Sequence, residues 1–320
     1  MINNMEFIKP NVEIWEQVFK EDALIPALWA HVARCTRVCY QSENKKNPLE
    51  GDEAFVKRVI LRHEPWSSEA NHLSMLEHGT VYLKVGHVTA LERMMYPNYL
   101  YNKYSIVHHS EEDNCFYITT NLRVIIENNW LDDLQFICSP TDNHAKRVTV
   151  SFTTNIGVTR EFNRHRADSI SEESTRYCNY SKKNDGQIKI GLPAWLLDSE
   201  SLKYIDCFGG DSVRDYIERL MDFINEDEVL DNWCDIDFYL FSLTVSQWCY
   251  NMLIKKGWTA QQAREVLPLA TKSQLIHTAF VDDWKHFFNL RAVGVSGAPH
   301  PNAKLVAKPL LEEFIKRKYI

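Results

Sequence analysis

Apolar residues recur at steps of three and four over Ala23–Tyr40 and Asp52–His63, the period of a helix with one buried face. The first third of the chain therefore reads as helical. Val81–Val85 then reads as a strand. Val88–Arg147 holds a polar, aromatic stretch, Tyr96–Asn114, followed by Phe116–Glu127, which reads as strand running into helix. Val148–Gly157 alternates as a strand does. Asp185–Gly210 reads as loop, with a break at Gly209-Gly210.

The C-terminal half returns to helical spacing over Ser212–Ile224, Asp237–Lys255, Thr259–Val266, Ser273–Arg291 and Pro301–Lys318. Thr259 and Gln262 stand at capping-box spacing, Pro268 closes that helix, and Pro301 suits a first helical position. Within Ser273–Arg291, Ile276, Phe280, Trp284, Phe287 and Arg291 form one stripe, which places Arg291 at the end of an apolar face and pointing inward. A buried arginine needs an anionic or polar partner, or carbonyls at its helix C-terminus. Strands near the middle with many flanking helices predict an α+β fold. No repeat, low-complexity tract or Pro/Gly/Ser-rich linker divides the 320 residues, so one elaborated domain is expected over 1–320.

Composition narrows the chemistry. The net charge is −7, which excludes a generally basic nucleic-acid coat but not a local basic pocket. With 11 glycines, neither G-x-G-x-x-G nor G-x-x-x-x-G-K occurs, so any nucleotide must be held mainly by side chains. The start has no basic-then-apolar signal pattern. Tyr239–Ile254 is too short and too polar to span a membrane and reads as a core helix. The eight cysteines form no C-x-x-C, which suggests reduced thiols in a cytoplasmic setting. Cys35 and Cys39 lie one helical turn apart without a matching ligand pair, so no metal site is expected.

The densest chemistry lies at Arg164-His165-Arg166, followed by Ser169, Glu172, Glu173, Ser174, Arg176 and Tyr177. Guanidinium groups bind phosphate through paired, directional hydrogen bonds, and serine hydroxyls can complete such a site. Ser169 and Glu172 stand at capping-box spacing, which predicts a helix start whose N–H groups favour an anion. As a mere cluster, the same residues fit a capped surface helix with ordinary ion pairs. They also fit an RNA-contacting patch, which the chain's acidity opposes.

Their order says more. RHRADSISEESTRYCNYS resembles the R-H-R-x-x-S-x-x-x-x-S-x-R-Y signature of the flavin-dependent thymidylate synthases. Leu76-Glu77-His78 before a strand, Ala263–Pro268 (AREVLP), Trp284–Arg291 (WKHFFNLR) and Ala298–Pro301 (APHP) are similar to further segments of that family. The matched segments run from about Phe7 to Glu313, with about 88–147 and 198–235 as insertions.

The resemblance implies the family's mixed fold of helices around a central sheet. It implies conversion of dUMP to dTMP, with FAD as cofactor and NADPH and methylenetetrahydrofolate as co-substrates. It also implies a homotetramer with shared active sites, located in the cytoplasm, or in a host's cytoplasm if phage-encoded, with no nucleic-acid or membrane partner.

Residue by residue, the resemblance puts His78, Thr80, Arg164, His165, Arg166, Glu172 and His286 at FAD. It puts Glu161, Arg164, Glu172, Ser174, Arg176, Arg264 and Arg291 at dUMP. Arg291 is the catalytic group, favouring ionisation of the uracil ring. His165, between two arginines, is expected to stay neutral. Cys178 reads as a packed thiol. Phe280 and Asp282 stand where many members have the asparagine and arginine that pack on flavin. That departure keeps two alternatives open: a relative making another C5-modified pyrimidine, such as a hydroxymethyl product, and a non-catalytic nucleotide- or RNA-binding protein.

Overall fold

A computed structural model describes residues 5–182, 187–208 and 233–320. The fold is mixed α+β. Its strands are β1 (Glu6–Ile8), β2 (Asn11–Ile14), β3 (Thr80–Gly86), β4 (Ile106–Ser110), β5 (Cys115–Asn121), β6 (Arg147–Asn155), β7 (Ser169–Glu172), β8 (Lys189–Gly191) and β9 (Lys272–Phe280). The central sheet has the order β2-β6-β9-β7 and is antiparallel throughout. A second sheet, β3-β5-β4, is also antiparallel, and β1 pairs with β8 in parallel.

Alternation along β6 and β9 sends their side chains to two covered faces. Val148, Val150, Phe152, Leu275 and Ala279 join Trp284, Phe287 and Phe314, from the Val281–Phe288 and Pro301–Lys316 helices, in one core. On the opposite face, Ile276 packs with Cys35 and Val38 of the Leu24–Tyr40 helix. That helix also packs, through Leu28 and Val32, into a second core shared with β3, β5 and the Leu122–Glu127 helix.

Several expectations hold. The Leu24–Tyr40 helix and β3 form as the pattern predicts, and β5 runs into the Leu122–Glu127 helix, whose cap is the Asn121 side chain. The Thr259–Gln262 capping box is present at the Ala260–Ala263 helix.

Others are corrected. Ser273–Arg291 is not one helix: Lys272–Phe280 is β9, followed by the Val281–Phe288 helix and a π-helical turn at Asn289–Val293. Ile276 and Phe280 are four apart by coincidence. Backbone pairing to β6 along nine residues, with both faces covered, overrides the helical spacing. Ser169–Glu172 is likewise strand β7 and starts no helix, because its backbone pairs with β9.

The N-terminal third opens with strands β1 and β2. The second predicted helix stops at Val59, beyond which the Asn71 side chain bonds the backbone of His63 and Trp66 in a loop. Residues 185–210 are not all loop. They contain β8 and the Ser199–Phe208 helix, whose first turn donates to the Asp198 carboxylate. The Asp235–Lys255 helix buries one face only, through Leu240, Leu243, Thr244, Gln247 and Tyr250, and leaves Phe238 and Trp248 exposed. The expected Ser212–Ile224 helix lies outside the described residues. Among those described, no helix is long and apolar enough to cross a membrane.

Candidate active site

The chain leaves β6 through the Asn155 cap, forms the short Ile156–Phe162 helix, turns at 163–168 and re-enters the sheet as edge strand β7. The Arg-His-Arg string therefore sits on a tight turn between two fixed elements. Arg164 and Arg166 are exposed, and neither makes an ion pair among the described residues. His165 is buried between them. Its Nε2 lies 3.3 Å from Arg291 Nε, and its ring lies against Phe287 and, edge-on, His286.

Arg291 projects from the π-helical turn. Its Nη1 donates to Glu161 Oε2 at 2.8 Å and its Nη2 to the Glu161 carbonyl at 2.9 Å. Glu161, His165, His286 and Arg291 thus form one cluster, with Arg291 about four-fifths buried. Burial, then the neighbouring His277, Arg291 and His286, lower the pKa of His165 to about 4, outweighing Asp168, which raises it. The imidazole is neutral, as expected, but burial and these spatial neighbours cause it rather than the flanking arginines in sequence.

Glu172 lies near this cluster, at the end of β7. Its Oε1 accepts from Thr159 and Ser273, both at 2.7 Å, and its Oε2 from Asn163 at 3.2 Å. These donors fix the carboxylate's orientation. The next residue, Glu173, is buried and paired with Lys272 at 2.7 Å. A second grouping holds Ser174, Arg176 and Arg264. Arg176 is exposed and donates from Nε to Gln261 at 2.7 Å, beside the turn that carries the exposed Arg264. Ser174 accepts from the Arg176 backbone N–H at 3.3 Å. Cys178 is fully buried.

His78 and Thr80 fall on the other face of the sheet. The His78 ring is wholly buried, with Nδ1 2.9 Å from Thr278 Oγ1. Thr278 bonds Thr149 at 2.8 Å, and Thr149 bonds His31 at 3.1 Å, a polar chain that crosses from β9 to β6 and on to the Leu24–Tyr40 helix. Burial drives the His78 pKa well below the ordinary value, with His31, Arg147 and His277 adding to it. Its Nε2 has no partner among the described residues. Thr80 accepts from Arg147 Nη1 at 3.3 Å.

Three residues absent from the sequence-based set stand out here. Asp168 and His277 form a buried pair beside His165, and Arg147 reaches between Thr80 and Ser169. Asp168 lies inside the recognised string, but no spacing reveals its partner on β9. Arg147, in a Lys-Arg pair before a strand, reads as a solvated charge. The replaced positions behave differently from each other: Phe280 lies 5.4 Å from the Arg147 guanidinium, whereas Asp282 is exposed and pairs with Lys285.

A turn carrying two guanidiniums that make no ion pair among the described residues, beside a cluster that holds a third, presents side chains suited to phosphate. The residues fit a diphosphate-bearing cofactor such as FAD, because Arg164 and Arg166 present charge that no carboxylate offsets among the described residues.

The family model of the thymidylate synthase complementing protein matches residues 141–317, more than half of the chain, and the chain belongs to that family. A flavin-dependent thymidylate synthase of Corynebacterium aurimucosum is 27% identical over 135 residues, 41% of this chain and 44% of that protein. The chain thus matches less than half the length of that curated relative. Solved chains similar to it include the UMP/dUMP methylase PolB from Streptomyces cacaoi bound with 5-Br dUMP, at 17% identity, 98% and 93% coverage and a TM-score of 0.38. Thymidylate synthase X from Helicobacter pylori with FAD and dUMP aligns at 13% identity, 95% and 92% coverage and a TM-score of 0.36.

Proposed function

We propose that this chain converts dUMP to dTMP, with FAD as bound cofactor, methylenetetrahydrofolate as carbon donor and NADPH as reductant. The observation that carries the reading is the Glu161–Arg291–His165 cluster set against the turn of Arg164 and Arg166. Flavin, when bound, supplies hydride chemistry that no protein side chain offers.

The chain's own residues bind and polarise. Arg164 and Arg166 hold cofactor phosphates, with His286 and the neutral His165 lining the approach. Arg176, Ser174 and Arg264 bind the nucleotide phosphate. Glu172, held by three donors, presents a fixed acceptor between the ligands. Arg291 stabilises negative charge as it develops on the pyrimidine, a preorganised electrostatic role worth orders of magnitude in rate. Glu161 and His165 keep its guanidinium in place at low reorganisation cost. Thr80 and His78 support from the opposite face. A homotetramer with shared sites belongs to the same reading.

The single-domain organisation over 1–320 and a cytoplasmic location belong to the same reading. A second reading is favoured by Phe280 and Asp282: the same site could release another C5-modified pyrimidine.

The test is a visible spectrum of the purified protein during dUMP titration, followed by product mass. Flavin bands that shift to saturation and a product with the mass of dTMP are expected. A product heavier by one oxygen selects the hydroxymethyl reading. A protein that takes up no FAD and ignores dUMP overturns both.

A further inference from the structure

Arg147 opens β6 and makes no ion pair among the described residues; Glu77, Asp168 and Asp283 act on its charge only from beyond ion-pair distance. Its Nη1 donates to the Glu77 carbonyl at 3.1 Å and to Thr80 Oγ1, and its Nη2 donates to Ser169 Oγ at 3.2 Å. All three acceptors are neutral. Its Nε is buried and has no acceptor among the described residues. Among the described residues no carboxylate lies within ion-pair distance of it. Burial lowers its pKa to about 10. A part-buried cation hydrogen-bonded, among the described residues, only to neutral acceptors is costly, and an unused buried donor adds to the cost. Both costs disappear if an anion enters.

The space for one is present. A cleft of about 320 Å³ lies against Arg147. Arg166, Ser169 and Phe280 line it together with Lys103, Tyr104 and Asn121. Its one acidic lining residue is Asp283, whose carboxyl is made a weaker acid by burial and by Asp168 and Asp282, against the opposing pull of Arg147 and His277. Arg147, Arg166 and Lys103 thus outnumber the single carboxyl that lines the cleft. Lys103, Tyr104 and Asn121 all come from the 88–147 segment, for which the sequence offers no purpose.

We propose that this cleft binds a diphosphate, with Arg147, Arg166 and Lys103 as its cations, and that the 88–147 segment serves to build it. Under the flavoenzyme reading, on which the choice of ligand rests, the diphosphate is that of FAD. The same chemistry accepts the diphosphate of a dinucleotide reductant.

The experiment is calorimetric titration of the full chain with inorganic pyrophosphate and, separately, with FAD. Wild type is compared with Arg147→Met and Lys103→Met, with the melting temperature of each recorded. Pyrophosphate is expected to compete with FAD. Arg147→Met is expected to weaken both ligands by about tenfold or more, and Lys103→Met by about threefold. The ligand-free Arg147→Met protein should melt no lower than wild type, since an uncompensated charge has gone. Pyrophosphate bound through Arg147 without competing with FAD keeps the cleft and assigns it to the reductant. Binding of pyrophosphate through Arg147 in a protein that takes no FAD keeps the cleft and removes the flavin reading. Normal FAD binding with no pyrophosphate binding, or with binding unchanged in Arg147→Met, overturns the cleft and leaves the flavin reading standing. Should Arg147→Met fail to fold, unchanged pyrophosphate affinity in Lys103→Met overturns it instead.

Discussion

His277 Nε2 donates to Asp168 Oδ2 at 2.6 Å, and solvent reaches almost none of either side chain. One residue comes from the turn after Arg166, the other from the middle of β9, so this bond ties the cationic turn to the central sheet. Asp168 also closes the turn locally, its N–H donating to the His165 carbonyl at 3.2 Å. Removing one member of a buried pair strands the other, at a cost of about 3 kcal/mol or more. His277→Phe should lower unfolding free energy by that amount in urea denaturation. A loss under about 1 kcal/mol would show the pair to be incidental.

Arg291 is held in place without its ligand. Arg291→Met should therefore retain bound flavin while turnover falls by about 100-fold or more, the scale of losing one preorganised charge donor. Glu161→Gln should weaken the hold on Arg291 and show a smaller loss in kcat. Spectra and steady-state kinetics measured on the same preparations separate binding from catalysis. Loss of flavin together with activity in Arg291→Met would reassign that residue to cofactor binding.

Stability should fall in mild acid. His31 and His165 both have pKa values lowered to about 4, each chiefly by burial. The unfolded chain protonates them near 6.5, a proton the folded state refuses. Their contribution is therefore complete above about 6.5, declines as pH falls toward 4, and levels off below that. Each adds a slope of up to about 1.4 kcal/mol per pH unit in that window. Urea midpoints between pH 4 and 7 test this, and His165→Gln should remove one histidine's share. An unchanged slope in that variant would sink the assignment.

Gly79 follows His78 at a point where the chain grazes the Leu24–Tyr40 helix. A Cβ there would meet Val32 Cγ2 at 2.7 Å and Leu28 Cδ1 at 2.8 Å, both in a fully buried core. Its φ of −77° is open to any residue, so the constraint is packing alone. Gly79→Ala should cost about 1–3 kcal/mol through overpacking. A melting temperature equal to wild type would show that the two side chains simply move aside.

Where one apolar face or one local cap decides the outcome, the pattern reads directly into structure. The Leu24–Tyr40 helix and the run from β5 into its Asn121-capped helix are such cases. The Asp198 cap before the Ser199–Phe208 helix was a legible signal that the loop-like composition around it concealed. Misreading concentrated in the central sheet. β9 carries Ser273, Gln274, His277 and Thr278 in a strand covered on both faces, so neither alternation nor an apolar run marks it.

The sequence by itself determined the family. An ordered string of arginines, serines and carboxylates, with AREVLP and HFFNLR downstream, marks the family because each residue type is required at its own step along the chain. Only the tertiary structure decided which groups meet. Pairing β6 with β9 puts Arg291 beside His165 and Glu161, puts His78 on the opposite face, and leaves Arg147 with no ion pair among the described residues. Those relationships depend on strand register and on burial by distant segments, which no local spacing encodes.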